Sequence, residues 1–214
     1  MDDNYYFRVI SLGADCAVAG SLREIGYKEC SYCFDWTVTT LDFVIDCFNT
    51  KFKIFENLFE KCEVSGNKSL KYNNSIYFYH EVKKVSNALK EKYIKRSKRL
   101  HDLLSETKEN ILFIRKGENN TIKDVQELKN AIIHNYPNLK FKILLLNNIK
   151  QDNVVDNHII HKYWSQSCFI KYNEKKDIWY YESKKTHSKS YDCVYQELKK
   201  INSEKFEQPK HRDA

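Results

Sequence analysis

Apolar residues in this chain are arranged in two ways, as short continuous runs and as helical repeats. Continuous runs are typical of strands buried in a parallel sheet, whereas apolar residues three and four positions apart are typical of helices packed on one side. The runs cover residues 6–12, 111–115 and 141–146, and the helical repeats cover residues 41–59, 89–104 and 122–132. This order predicts an α/β fold, a three-layer sandwich with a mostly parallel sheet, in which a right-handed crossover joins the last two runs.

The first apolar run is followed by a turn and a short predicted helix. Gly13 belongs to the turn, and Asp15 has the side chain of an N-cap for a helix over residues 16–25. Gly26 is then predicted to end that helix. The arrangement places the thiol of Cys16 in the first helical turn.

Weaker signals complete the predicted outline. Residues 75–82 are rich in β-forming side chains and predict a strand that contains His80. Thr121 and Asp124 have the spacing of a capping box, which predicts the start of a helix. Segments 168–172 and 177–182 are predicted to pair as a hairpin, and residues 191–201 are predicted to form a last helix.

Composition is typical of a globular protein from a reducing compartment. Of 214 residues, 42% are hydrophobic, which suffices for one core, so we expect a single domain over 1–205 and a disordered tail over 206–214. Seven cysteines without regular spacing argue against a disulfide framework. The beginning MDDNYYFRVI is acidic where a secretory signal is basic, and no apolar run reaches the ~18 residues of a membrane span. We therefore expect a cytoplasmic protein without a membrane partner.

The positive net charge adds one candidate binding residue. A formal charge of +7 favours anionic partners, but the lysines are spread along the chain, so nucleic acid is not the expected partner. Arg115 ends a buried run at the predicted carboxyl edge of the sheet, where α/β proteins bind ligands. Its guanidinium is a candidate for holding an anion, and a surface salt bridge would explain it equally well.

Cys16 is the thiol best placed for chemistry. A thiol reacts as its thiolate, and the unpaired N–H groups and dipole of a helix N-terminus favour that negative charge. Backbone N–H groups near residues 15–17 are candidates for receiving an oxyanion. The adjacent Asp15 opposes the thiolate unless its carboxylate caps the helix. The alternative is a buried, inert cysteine, which is common in proteins.

A thiol nucleophile also needs a base, which is usually histidine. His80 is the candidate, because an imidazole within an apolar strand is expected to have a specific partner; the alternative is a core histidine bonded to a backbone carbonyl. Asp35 lies between two aromatic residues and is either a structural post or the group that orients the histidine. The segments CSYC and NHIIHKYW lack the further ligands of a metal site, so we expect no metal and no cofactor.

The ordered segments SLGADC, SYCFDW and YFYH resemble a family of unknown function described as papain-like cysteine peptidases. Its pattern runs S-L-G-x-x-C, S-Y-P-F-D-W and a later histidine after aromatic residues, and the resemblance covers about residues 7–150. One departure is Cys33, which stands where the family usually has proline, and this weakens any role for a C-x-x-C pair.

The resemblance implies a Cys16 nucleophile, a His80 base and Asp35 as the orienting group, in an enzyme acting on peptides or other acyl substrates. It also implies a papain-like α+β fold as the alternative to the sandwich. A non-catalytic α/β module for a phosphate, nucleotide sugar or nucleic acid remains the competing function, and a glycan-modifying enzyme is a third. The candidate ligand-binding residues are Ser11, Gly13, Asp15, Trp36 and Arg115.

Overall fold

The computed structural model describes residues 8–24, 26–65, 69–80, 85–117, 120–147, 158–163, 170–173 and 178–181. In chain order the elements are β1 (Arg8–Ser11), α1 (Ala17–Glu24), β2 (Val38–Thr39), α2 (Leu41–Asn49), α3 (Ile54–Asn57), a 3-10 helix (Leu58–Lys61), β3 (Glu63–Val64), β4 (Leu70–Tyr72), β5 (Ile76–Phe78), α4 (Asn87–Glu106), β6 (Ile111–Lys116), α5 (Ile122–Asn135), β7 (Phe141–Asn147), β8 (Ile159–Tyr163), β9 (Ile170–Asn173) and β10 (Ile178–Tyr181). The predicted helix over 191–201 and the predicted tail over 206–214 lie outside the described residues.

The predicted parallel sheet is confirmed. Its strands run in the order β1-β6-β7-β8, and every neighbouring pair is parallel. The crossover from β6 to β7 passes through α5, which begins at the predicted capping box. There the Thr121 hydroxyl accepts from the Asp124 N–H, and the Asp124 carboxylate accepts from the Thr121 N–H. The apolar runs and the capping signal therefore predicted this half of the fold.

The core covers both faces of the parallel sheet. All residues from Ile111 to Ile114 are buried, although successive side chains of a strand point to opposite faces. α1 packs on β1 and β6, while α5 packs on β7, β8 and α2. The mixed α/β class is thus confirmed, and the three-layer arrangement stays a prediction.

An antiparallel sheet was not predicted. Its order is β2-β5-β4-β3, and of its strands only β5 falls in a segment predicted as a strand, residues 75–82. α2, α3 and the 3-10 helix confirm in part the helical pattern over residues 41–59. Tyr93 of α4 packs against both the antiparallel sheet and the 3-10 helix. Its ring centroid lies 4.8 Å from that of Phe78 in β5 and 5.7 Å from that of Phe59 in the 3-10 helix.

The strand predicted over 75–82 was too long. β5 contains only Ile76–Phe78, and Tyr79 and His80 form an exposed turn. His80 is therefore not the imidazole within an apolar strand that the sequence predicted.

The C-terminal described strands include one confirmed and one unexpected feature. β9 and β10 pair as the predicted antiparallel hairpin. β8, which lies in the NHIIHKYW segment, was not predicted. Among the described helices, none combines the length and apolar character needed to cross a membrane.

Candidate active site

The segment from Ser11 to Cys16, called here the Cys16 turn, links β1 to α1 through two left-handed residues. Gly13 has φ +75° and Ala14 has φ +76°. A Cβ on Gly13 would lie 2.3 Å from Thr39 Oγ1, so only glycine fits there. The Gly13 N–H donates to Ser11 Oγ and the Ala14 N–H donates to Thr39 Oγ1. The backbone is thereby fixed just before Cys16.

α1 begins at Ala17, one residue later than predicted, so Cys16 occupies the N-cap position that was predicted for Asp15. The Cys16 carbonyl accepts the Gly20 N–H at 2.9 Å, and its side chain is 7% exposed. Gly26, with φ +77°, ends the helix as predicted, because its N–H bonds back to Arg23 and the following N–H bonds to Leu22.

Asp15 caps α1 and is neutralised by a cation. The Ala17 N–H donates to its Oδ1 at 2.8 Å, and Lys116 Nζ lies 2.6 Å from its Oδ2. The carboxylate beside Cys16 is therefore compensated, which removes the objection that it would oppose a thiolate. The Ala17 N–H, in turn, is occupied by Asp15 and is not directed at an oxyanion.

Arg115 does not present its guanidinium to a ligand, which corrects the prediction made for it. The residue is 2% exposed, and its Nη1 donates to the Leu12 carbonyl at 2.7 Å and to Thr39 Oγ1 at 2.9 Å. Nη2 donates to the Thr39 carbonyl, and Nε donates to Asn120. Burial lowers the pKa of Arg115 to about 10, and the charge of Asp15 opposes that shift. Arg115 thereby connects the Cys16 turn to β2. The competing hypothesis of an anion-binding module loses the residue that was its candidate for holding the anion.

Residues 27–36, called here the Trp36 loop, are held by a buried ion pair. Asp35 is 1% exposed, and its carboxylate contacts Lys28 Nζ and accepts the Tyr32 N–H at 2.6 Å. Burial lowers the pKa of Lys28, and Asp35 opposes this effect. Asp35 therefore does not orient His80 directly, as the resemblance implied, because its partners are Lys28 and the loop backbone.

Trp36 is the residue that connects this loop to His80. Trp36 has φ +65°, and its indole ring meets the His80 imidazole edge to face, with centroids 6.1 Å apart. The Arg23 guanidinium carbon lies 4.7 Å from the indole centroid, and Lys28 Nζ lies 5.8 Å from it. His80 is exposed, and its ring contacts Trp36.

A family model matches most of the chain. Residues 7–153 match the model of the family described as "Putative papain-like cysteine peptidase (DUF1796)". The chain belongs to this family. No curated protein and no solved structure matches it.

Three residues of the papain-like family pattern, Ser11, Tyr32 and Asp35, line part of a small cavity. The cavity measures about 20 Å³, which is room for about one water molecule. It lies between β1 and the Trp36 loop, and its lining includes Ser11, Leu22, Tyr27, Tyr32 and Asp35. Ser11 is 1% exposed.

The second cysteine of the C-x-x-C segment is structural in this papain-like chain. Cys33 is fully buried, and burial raises the pKa of its thiol well above the ordinary value, with Asp35 adding to the effect. Cys30 is half-buried, and both thiols are free. The apolar environment of Cys33 agrees with the proline expected at that family position.

Sequence reasoning missed three residues that shape the site. Thr39 accepts hydrogen bonds from Ala14 and Arg115, Lys116 pairs with Asp15, and Lys28 pairs with Asp35. Lys116 was detectable in principle, because it directly follows Arg115 at the carboxyl end of β6. Thr39 and Lys28 carry no local signal, since their roles arise from contacts between segments distant in the sequence.

Proposed function

We propose that this chain is a thiol hydrolase or acyl-transfer enzyme of papain-like type, acting in the cytoplasm, with Cys16 as its nucleophile. One observation carries the proposal: Cys16 lies at the N-cap of α1, on a turn whose backbone is fixed by hydrogen bonds to Ser11 and Thr39. The N-terminal dipole of a helix favours a thiolate there. The seven cysteines without regular spacing support the cytoplasmic location.

In the proposed reaction His80 takes the proton of the Cys16 thiol, and the sulfur attacks the carbonyl carbon of a peptide or other acyl substrate. The carbon–nitrogen bond then breaks, and the leaving amine takes the proton from His80. Water or a second amine attacks the resulting thioester, with His80 as base, and the thiol is released. Atoms and protons balance without a cofactor.

Trp36 is the proposed support for His80. Its indole meets the exposed imidazole edge to face, so it restricts the ring while leaving the imidazole nitrogens open to solvent and substrate. Asp35 acts indirectly, because its ion pair with Lys28 anchors the loop that carries Trp36. The proposed site therefore consists of a nucleophile, a base and an aromatic side chain that supports the base. In the arrangement implied by the resemblance, a carboxylate has that supporting role.

The test is selective labelling of Cys16 by a substrate-like electrophile, read peptide by peptide by mass spectrometry. Labelling concentrated on Cys16, absent in Cys16→Ser and reduced about 100-fold in rate in His80→Ala, supports the proposal. His101→Ala is the matched control, because His101 bonds to the hydroxyl of Tyr136 at the end of α5, and its loss should leave labelling unchanged. Equal labelling of all seven thiols contradicts the proposal.

A further inference from the structure

Arg23, in the last turn of α1, lies over the indole ring of Trp36. Its guanidinium carbon is 4.7 Å from the ring centroid, which is within the range of a cation–π contact. Arg23 is exposed, whereas Trp36 is half-buried. The guanidinium is therefore held in place by the ring and is still open to solvent.

This guanidinium is suited to binding a carboxylate. The indole attracts its positive charge without supplying an oxygen acceptor, and the planar group has five N–H donors. Arginine uses pairs of these donors to form two parallel hydrogen bonds to a carboxylate. Because the ring already restricts the Arg23 side chain, less conformational entropy is lost when the carboxylate binds.

Lys28 approaches the same ring but is already used by the Trp36 loop. Its Nζ lies 5.8 Å from the indole centroid and pairs with the buried carboxylate of Asp35. The Lys28 side chain is only 9% exposed, so it is poorly placed to meet a substrate. Of these two cations, Arg23 is the exposed one.

The ring also places Arg23 near the proposed base. The Trp36 and His80 ring centroids are 6.1 Å apart, so with the 4.7 Å contact the Arg23 guanidinium carbon lies at most about 11 Å from the imidazole centroid. An extended peptide covers that distance in about three residues. A substrate carboxylate within this distance of the scissile bond can therefore reach Arg23 while His80 acts at that bond.

We propose that Arg23 is a specificity residue of this chain, and that it binds a carboxylate of the substrate close to the scissile bond. The substrate class is then an acidic peptide or a related acyl compound that carries a carboxylate. The inference deepens the proposed function and rests on it for the position of the scissile bond. An acidic side chain and the terminal carboxylate of a peptide share this chemistry, and the experiment distinguishes them.

The first measurement is the rate at which Cys16 is labelled by pairs of tripeptide vinyl sulfones. One member of each pair has glutamate as the first, second or third residue from the electrophilic carbon, and the other has glutamine there. At the position that Arg23 contacts, the glutamate probe should react about tenfold faster. Arg23→Gln should reduce this ratio to about one, and Arg23→Glu should favour a lysine probe instead.

Arg99→Gln is the matched control. Arg99 is also exposed, and it donates to the Ser31 carbonyl of the same Trp36 loop, so its loss removes an arginine that contacts this loop at another residue. The ratio of the glutamate to the glutamine rate should stay as in the wild type. If Arg23 only supports Trp36, Arg23→Gln slows both probes by the same factor and leaves their ratio unchanged. Circular dichroism of each variant establishes that it is folded.

The second measurement does not require a reaction. Calorimetry of the Cys16→Ser variant gives the affinity for unreactive tripeptides. A glutamate tripeptide amide carries only the side-chain carboxylate, and a glutamine tripeptide with a free C-terminus carries only the terminal one. The source that Arg23 recognises should bind about tenfold more tightly than the glutamine tripeptide amide, and adding Arg23→Gln should abolish the difference.

The outcomes separate this inference from the proposed function. Equal behaviour of the charged and neutral compounds in both measurements, or a preference that Arg23→Gln leaves intact, overturns the inference and leaves the hydrolase intact where Cys16 is still labelled. A preference in calorimetry that depends on Arg23, together with absent labelling of Cys16, overturns the hydrolase and leaves the carboxylate site intact.

Discussion

The Cys16 turn and the Trp36 loop hold the two proposed reacting groups in different ways. The Cys16 turn is fixed by several hydrogen bonds that involve Ser11, Thr39 and Arg115, all of them buried. The Trp36 loop is held by the buried Lys28–Asp35 ion pair and by side-chain hydrogen bonds of Asp35 and Arg99 to its backbone. Its contact with His80 is a single ring edge in an exposed turn. The nucleophile is therefore preorganised by the backbone, whereas the base is held by side chains that can adjust to substrate.

Asp35→Asn should have the largest effect on stability. It leaves the Lys28 ammonium buried without its carboxylate, and breaking a buried pair costs about 3 to 5 kcal/mol. Burial already lowers the pKa of Lys28, and without Asp35 it should fall further. Urea unfolding of the variant measures the loss of free energy.

The double variant Lys28→Met, Asp35→Asn is the matched control, because it removes the unpaired charge as well. It should recover most of the stability lost in Asp35→Asn. If the double variant is as unstable as the single one, the loop does not depend on this ion pair and the contrast between the regions fails.

Gly13→Ala should rank second, at about 3 kcal/mol. The new Cβ would lie 2.3 Å from Thr39 Oγ1 at φ +75°, so both the clash and the left-handed backbone oppose it. Ala14→Gly is the control, since Ala14 also has φ +76° and gains from losing its Cβ. Its unfolding free energy should equal or slightly exceed that of the wild type. A tolerated Gly13→Ala would show that the Cys16 turn is adaptable.

Alkaline pH should weaken the core that both regions share. Burial raises the pKa of Cys33 and Cys47 well above 9.0, so the folded state retains these protons where the unfolded state loses them. Stability is then complete below pH 9 and falls above it, by about 1 kcal/mol for each thiol at pH 10. The lowered pKa of Arg115 acts with the opposite sign above about pH 10. Urea midpoints at increasing pH measure the slope, which should flatten in Cys33→Ala.

His80→Ala should have the smallest effect on stability, within about 0.5 kcal/mol, because the side chain is exposed and contacts one ring. Its effect should appear in the labelling rate of Cys16 instead. A loss of stability comparable to that of Asp35→Asn would mean that His80 is a structural part of the Trp36 loop, and the distinction between fixed nucleophile and adjustable base would disappear.

Sequence patterns predicted the regions where local order and burial agree. The apolar runs of β6 and β7, the capping box at Thr121 and the glycine after α1 each carry a signal within a few residues. In the antiparallel sheet, β2 and β3 have no such signal, because they contain two residues each and show no periodicity. Strands of two residues form only when they pair with a neighbouring strand.

The same difference between local signals and long-range contacts explains which features of the candidate site were predicted. Cys16 was predictable, because a turn followed by a helix is a local arrangement. Arg115 was predicted at the correct end of its strand, but its direction depends on Leu12 and Thr39, which are 103 and 76 residues away in the sequence. Asp35 was assigned to His80, whereas Lys28, seven positions earlier, is its partner.

The aromatic contacts of β5 limit how far the proposed base can travel. Phe78 is enclosed by Tyr93 and Phe59, with ring centroids at 4.8 Å and 5.3 Å, and His80 follows only two residues later. Two residues of extended chain span about 7 Å. The imidazole is therefore confined to positions close to Phe78, which packs against Tyr93 of α4. The scissile bond of any substrate has to come within that small region.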